Sequence, residues 1–347
     1  MSRTPRLSML VLAMCVYRLS LHALFWPVCV CDRYLGGLGR VLVLIIHRSD
    51  TESPRARRTS RSHSRRSRRS CHRIASLDVC LEMVLSAALR CLTFEITGTL
   101  ICMSVPLGKV YGDALRHYNL PGVPDDAAMK DAFKRAYGTT LKEYPNYGAA
   151  AGLSERTWWG KMIRATLGEA GCDAALEDET FPLVFQRIYS SFGSSDVWAA
   201  CPDGIKAMRH AKKKGLVVGA CSNVYHRYVD SNMPLLGLHN DLDFATTSFE
   251  FGIKKPDPAI FLHAAKQATV AHRLIYGGGE GTTEILPSQM LHVGDDLNND
   301  FLAAKAVGMR ALLLDPDDEV RHPRLRPEEK IRSLAEIPGK IDEIMAE

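Results

Sequence analysis

Four short segments carry residue types that could do chemistry. Residues 92–100 read Leu-Thr-Phe-Glu-Ile-Thr-Gly-Thr-Leu, an apolar run that ends on a carboxylate, Glu95, and turns at Gly98-Thr99. Residues 220–223, Ala-Cys-Ser-Asn, close another apolar run with a hydroxyl, Ser222, and an amide, Asn223. Residues 252–258, Gly-Ile-Lys-Lys-Pro-Asp-Pro, hold two adjacent lysines. Residues 292–300, His-Val-Gly-Asp-Asp-Leu-Asn-Asn-Asp, end a third apolar run on Asp295 and Asp296, with Asp300 just beyond. A carboxylate can attack phosphorus and form an acyl phosphate, which water then cleaves. Both partners in that attack are anionic, so a lysine and a divalent cation must offset the repulsion. Mg2+ prefers oxygen ligands and is satisfied by one or two carboxylates plus waters.

The segments differ in how specific they are. A Ser-Asn turn after a strand is common, so Ser222 and Asn223 say little alone; the hydroxyl and the N–H groups after it could hold phosphoryl oxygens. The Lys-Pro-Asp-Pro run says more. Pro258 suits the first turn of a helix and Asp257 its N-cap, which leaves Lys255 as the fixed positive charge and Lys254 toward solvent. The plain alternatives are a solvated acid at the strand end for Glu95 and a simple turn for residues 255–258. His292 lies inside its apolar run and reads as a packed residue rather than a ligand.

Parallel strands would place all four segments at one sheet edge, since open α/β sheets bind ligands beyond the carboxyl ends of their strands. From residue 90 onward, short apolar runs alternate with helical patterns, as a parallel α/β sheet requires. Strands are expected at 92–96, 216–221, 244–247, 290–293 and 311–314, with helices at 204–214, 258–268, 299–306 and 337–345. Gly215 and Gly308 suit helix C-termini. Residues 104–195 do not alternate. They read as consecutive helices at 107–118, 126–137, 155–170 and 181–191, an all-helical insert between the first strand and the second. The aromatic residues of this insert, Tyr147, Trp158 and Trp159 among them, are expected to pack it. The Gly-rich run 276–288 reads as a solvated insertion; no strand leads into it and no helix start follows at phosphate-loop spacing.

Charge separates the chain of 347 residues into two parts. Residues 1–82 hold 15 Arg, no Lys and 5 Asp or Glu, a net of +10, so the remainder of the +5 chain carries −5. Nine of those arginines fall within residues 53–73, among many serines. Such a stretch cannot bury enough apolar area to fold and is expected to be disordered. The apolar run 7–17 is too short to span a membrane, and no clear cleavage site follows it. This leader reads as an extension without function, a mitochondrial presequence, or a basic tail for nucleic acid or nuclear import. Met83 opens a plausible folded part. The ten cysteines include no CxxC pair, so reduced thiols, a reducing compartment and no structural metal are expected.

In order, spacing and the position of the helical insert, the four segments resemble the signature motifs of the haloacid dehalogenase-like hydrolase superfamily. The resemblance covers about residues 85–347 apart from the Gly-rich insertion. It implies a Rossmann-like parallel sheet core (83–103 and 196–347) and a helical cap (104–195). It also implies a Mg2+-dependent, phosphatase-like hydrolase of a small phosphorylated molecule. The family's first motif is Asp-x-Asp-Gly-Thr, and this chain has Glu95-Ile-Thr97-Gly98-Thr99 there. Glu95 would then be nucleophile and metal ligand, and Thr97 would offer a backbone carbonyl to the metal. Ser222 and Asn223 would hold the phosphoryl group, and Lys255 would supply positive charge. Asp295 would bind Mg2+, Asp296 stands next as a ligand, and Asp300 would hold a bound water or Lys255.

The departures matter. Glu adds a methylene, and a misplacement of about 1 Å can cost roughly a hundredfold in rate. The Thr97 hydroxyl is a poor acid for a leaving group. The alternative implication is therefore a catalytically impaired pseudoenzyme acting as a binding or regulatory module. A dehalogenase would use the same carboxylate without metal, and the acid pair at 295–296 favours phosphate chemistry over it. The expected location is cytoplasmic or nuclear, or mitochondrial if the leader is a presequence. No membrane is implied, and nucleic acid only through the leader.

Overall fold

The structure, a computed structural model, describes residues 88–277 and 284–347. The expected disorder of residues 1–82 and the centre of the Gly-rich run lie outside the described residues. Six strands form one sheet: β1 (Cys91–Phe94), β4 (Val217–Ser222), β5 (Phe244–Thr247), β6 (Met290–Gly294), β7 (Arg310–Leu314) and β8 (Lys330–Ile331). Their order is β5-β4-β1-β6-β7-β8, and every neighbouring pair is parallel. The chain thus starts at the centre, builds outward through β4 and β5, and returns to β6 on the other side of β1. That reversal is a topological switch point, and open α/β sheets bind their ligands at such points beyond the carboxyl ends of the strands, here those of β1, β4 and β6.

The strands are buried on both faces, which is why they read as continuous apolar runs. Side chains alternate between two cores. Leu92, Phe94, Val218, Ala220, Leu291, Val293, Leu312 and Leu314 face one, with Ala207, Met208, Ile337 and Ile341 of two covering helices. Cys91, Cys221, Met290, Ala311 and Leu313 face the other, with Ile260, Phe261, Ala264 and Ala268 of the helix Pro258–Tyr276. A one-residue shift in any strand would exchange these sets, so the register is strongly fixed.

Between β1 and β4 lies the helical section: α1 (Leu107–His117), α2 (Asp126–Glu143), α3 (Glu155–Glu169) and α4 (Phe181–Ser191). Asp125 caps α2 by accepting from the Ala128 N–H at 2.7 Å, and Ser154 caps α3 by accepting from Thr157 at 3.1 Å. Each cap is worth about 1 kcal/mol. Trp158 is fully buried against Ala136 and Met162, and its indole N–H donates to the Tyr144 carbonyl at 3.1 Å. The expected aromatic packing is therefore present.

Some elements differ from expectation. The helical section is bracketed by a short antiparallel ribbon, β2 (Ile101–Met103) with β3 (Trp198–Ala200). Strands of three residues are too short to show an alternation in sequence. The helix from Pro258 runs on to Tyr276 rather than stopping at 268, since nothing breaks it before Gly277, whose φ is 75°. The expected helix 299–306 begins earlier, with a wide turn over Leu297–Leu302 that leads into Ala303–Ala306.

Candidate active site

Glu95 leaves the end of β1, Ser222 is the last residue of β4, and Asp295 follows β6 directly. Parallel pairing of these strands brings the three to one rim of the sheet. Lys255 arrives from the loop before the helix Pro258–Tyr276, whose N-cap is Asp257, accepting from the Ala259 N–H at 2.9 Å. Lys255 is fully buried and Lys254 is exposed.

The Lys255 ammonium is the hub. It donates to Glu95 Oε2, to Asp300 Oδ1 at 2.5 Å and to the Cys221 carbonyl at 2.8 Å. Burial alone would drive the proton off this amine, but the carboxylates of Glu95 and Asp300 outweigh it and hold the ammonium above its ordinary range. Asp300 shows the complementary effect. Burial disfavours its charge, yet Lys255 and then His292 keep the carboxyl well below the usual carboxylate range. Its second oxygen accepts from the Asp296 N–H at 3.0 Å.

His292 is buried beneath this pair. Its Nε2 lies 3.3 Å from Asp300 Oδ1 and its Nδ1 lies 3.0 Å from the Thr93 hydroxyl. Burial lowers its basicity, against the Asp300 hydrogen bond. With Nε2 protonated, the neutral ring donates to Asp300 and accepts from Thr93, which satisfies both nitrogens. The ring also meets Phe261 edge-on at 5.2 Å, so His292 packs as well as supporting Asp300.

Glu95 is nearly buried, and both its oxygens are engaged. Oε1 accepts from the Ile96 N–H at 2.8 Å, the Thr97 N–H at 3.3 Å and the Ser222 hydroxyl, while Oε2 accepts from Lys255. Asn223 does not touch Glu95. Its amide instead holds the backbone of Lys255, accepting from that N–H at 2.8 Å and donating to that carbonyl at 3.1 Å. The Tyr147 hydroxyl, from the helical section, donates to the Asn223 carbonyl at 2.7 Å.

The acids beyond β6 play different parts. Asp295 is exposed as a residue, but its carboxylate lies under the turn at Gly98 and accepts from the Thr99 hydroxyl at 2.9 Å. Loss of hydration pushes its carboxyl up to about 6, against the Thr99 bond and reinforced by the negative charges of Asp300 and Glu95. Asp296 turns away and caps the following turn, accepting from the N–H groups of Asn298 at 2.8 Å and Asn299 at 2.7 Å. Gly98, at φ 82°, lets the first turn close over Asp295, since a Cβ there would lie 2.4 Å from Asp295 Oδ2. Among the described residues, no three His, Cys, Asp or Glu side chains form a ready metal cluster. Mg2+ needs fewer, and the oxygen donors of Asp295 and the Thr97 carbonyl suit such a hard ion. A carboxyl made less acidic by loss of hydration, and further by neighbouring anions, is also one whose charge a cation would stabilise.

The structure thus joins Glu95, Ser222, Lys255 and Asp300 in one hydrogen-bonded group and sets Asn223 behind Lys255. Asp295 stands at the mouth, and Asp296 meets the group through its backbone N–H to Asp300 while its carboxylate caps the following turn. Sequence reasoning missed Thr93, Thr99, Tyr147 and the Cys221 carbonyl. Only Thr99 carried a signal, as the closing residue of the first segment.

The chain is similar to known proteins. The sequence profile of the haloacid dehalogenase-like hydrolases matches residues 89–308. Haloacid dehalogenase-like hydrolase domain-containing protein 3 of Mus musculus is 29% identical over 257 residues, 73% of this chain and 94% of that protein. Its Homo sapiens counterpart is 29% identical over 226 residues, 65% of this chain and 82% of that protein. The fold is similar to that of the HAD-hydrolase YfnB of Bacillus subtilis, solved bound to magnesium, with a TM-score of 0.50 at 15% identity over 74% of this chain and 99% of that one. This chain belongs to the haloacid dehalogenase-like hydrolase family.

Proposed function

We propose that this chain hydrolyses a small phosphomonoester, with Glu95 as the carboxylate nucleophile and Mg2+ as cofactor. The observation that carries the reading is the buried Lys255, held between Glu95 and Asp300 by hydrogen bonds to both. A fully buried ammonium is costly unless its surroundings need the charge. Here it faces the strand-end carboxylate, where an incoming phosphoryl group would add further negative charge.

In the first step a Glu95 oxygen would bond to phosphorus as the ester P–O bond breaks, and the departing oxygen would take a proton from water. In the second, water would attack phosphorus, release inorganic phosphate and restore the carboxylate. Ser222 and the N–H groups of Ile96 and Thr97 would hold phosphoryl oxygens, and Lys255 would offset their charge. Mg2+ would be held by Asp295, the Thr97 carbonyl and Glu95, and would supply further charge neutralisation. Asn223 would keep Lys255 in place, and Asp300 would keep it charged.

A second reading is a pseudoenzyme that binds rather than hydrolyses. The specific observation in its favour is that four donors already engage Glu95, while Thr97 stands where a general acid would serve. The test is phosphate release by the full chain from a panel of phosphomonoesters, in Mg2+ and in EDTA. Metal-dependent release that disappears in Asp295→Asn supports hydrolysis. Tight binding of an ester without release supports the pseudoenzyme.

A further inference from the structure

The donors around Glu95 form a cradle built for an oxyanion. Two successive backbone N–H groups, of Ile96 and Thr97, point at one spot from the turn after β1. The Ser222 hydroxyl reaches it from the end of β4, and the Lys255 ammonium from the loop before the helix Pro258–Tyr276. Successive N–H groups in a turn, joined by a hydroxyl and a buried ammonium, are a general solution for binding a phosphoryl group. In this chain the cradle's occupant is the chain's own side chain. All four donors end on the two oxygens of Glu95.

We infer that Glu95 is a built-in anion that occupies the phosphoryl seat, so that the resting site is latched shut by its own carboxylate. This deepens the proposed function and rests on it. The extra methylene of Glu, compared with Asp, is what carries the carboxylate into the cradle. An external phosphoryl group must displace it, and loses the hydrogen bonds that Glu95 already makes. A shorter acid at position 95 withdraws from the cradle while keeping the charge.

The test is binding of inorganic phosphate, without Mg2+, to the full chain and its variants by calorimetry. Glu95→Ala and Glu95→Asp are expected to bind phosphate about tenfold or more tightly than the unaltered chain. Adding Ser222→Ala to Glu95→Ala should weaken binding again, which places the phosphate in the cradle. Should Glu95→Ala lose stability, Glu95→Asp carries the comparison alone. Equal binding by the unaltered chain, Glu95→Asp and Glu95→Ala would overturn the latch and leave the phosphoryl reading standing. Binding by none of the variants would remove both the latch and the phosphoryl reading beneath it.

Discussion

Asn223 holds Lys255 at both ends of one amide, accepting from its backbone N–H at 2.8 Å and donating to its carbonyl at 3.1 Å. The grip fixes the loop that delivers the buried ammonium, so Asn223 acts on the site through Lys255. Asn223→Ala removes two hydrogen bonds worth about 1 kcal/mol each. It is expected to lower stability by about 2 kcal/mol in urea unfolding and to weaken phosphate binding to the Glu95→Asp protein. An unchanged urea midpoint would show that the loop is held elsewhere.

The Lys255–Asp300 pair is fully desolvated, with both side chains almost wholly inaccessible. Breaking a buried pair from one side costs about 3–5 kcal/mol, because the remaining charge loses its compensation. Asp300→Asn is expected to destabilise by that order, since Lys255 keeps only Glu95 and a carbonyl. A loss below about 1 kcal/mol, a surface-pair value, would contradict the burial.

Tyr147 links the helical section to the core through its 2.7 Å hydrogen bond to the Asn223 carbonyl. Burial raises the pKa of this phenol well above its ordinary value, so it remains a neutral donor at physiological pH. Tyr147→Phe removes this bond and the longer one with the Tyr137 hydroxyl at 3.4 Å, with little loss of packing, at a cost of about 1–2 kcal/mol. Amide exchange at residues 223–225 should quicken, with the sheet core unaffected. Unchanged exchange there would mean that the bond does not restrain the turn.

Away from the site, Glu329 is nearly buried and accepts from Lys305 at 2.5 Å and Arg326 at 2.9 Å. Burial opposes its charge, but the hydrogen bonds from Arg326 and Lys305 win and depress its pKa from 4.5 to about 2. A carboxyl depressed by folding stabilises the native state above its unfolded pKa, and that contribution is lost as pH falls from about 4.5 toward 2. Both cationic partners are more than a third exposed, so the contribution is about 1 kcal/mol. Glu329→Gln should lower stability at pH 7 and flatten the loss between pH 5 and pH 3. An identical acid profile in both proteins would exclude Glu329 as a contributor.

The core strands were legible because parallel strands buried on both faces leave uninterrupted apolar runs, as at Val217–Ser222. The Asp257–Pro258 helix start was legible because capping chemistry is local. The ribbon β2–β3 was not, since three residues per strand leave no period to read. At the site, the residue types and their order were readable, but not which partner each would choose. Nothing near Tyr147 announces a bond to Asn223, which lies 76 residues away and is set by how the helices pack. That all four donors would end on Glu95 was equally hidden, because it depends on side-chain length within a closed turn.

The most direct measurement compares the full chain with its Glu95→Asp variant, in Mg2+, against the phosphomonoester that the chain turns over best. Glu95 as a slow nucleophile in a self-occupied cradle predicts measurable metal-dependent release by the unaltered chain. It also predicts a rise of about a hundredfold in kcat for Glu95→Asp, the order expected when a misplacement of about 1 Å is corrected. A variant slower than the unaltered chain, or equal to it, would contradict both the nucleophile assignment and the latch.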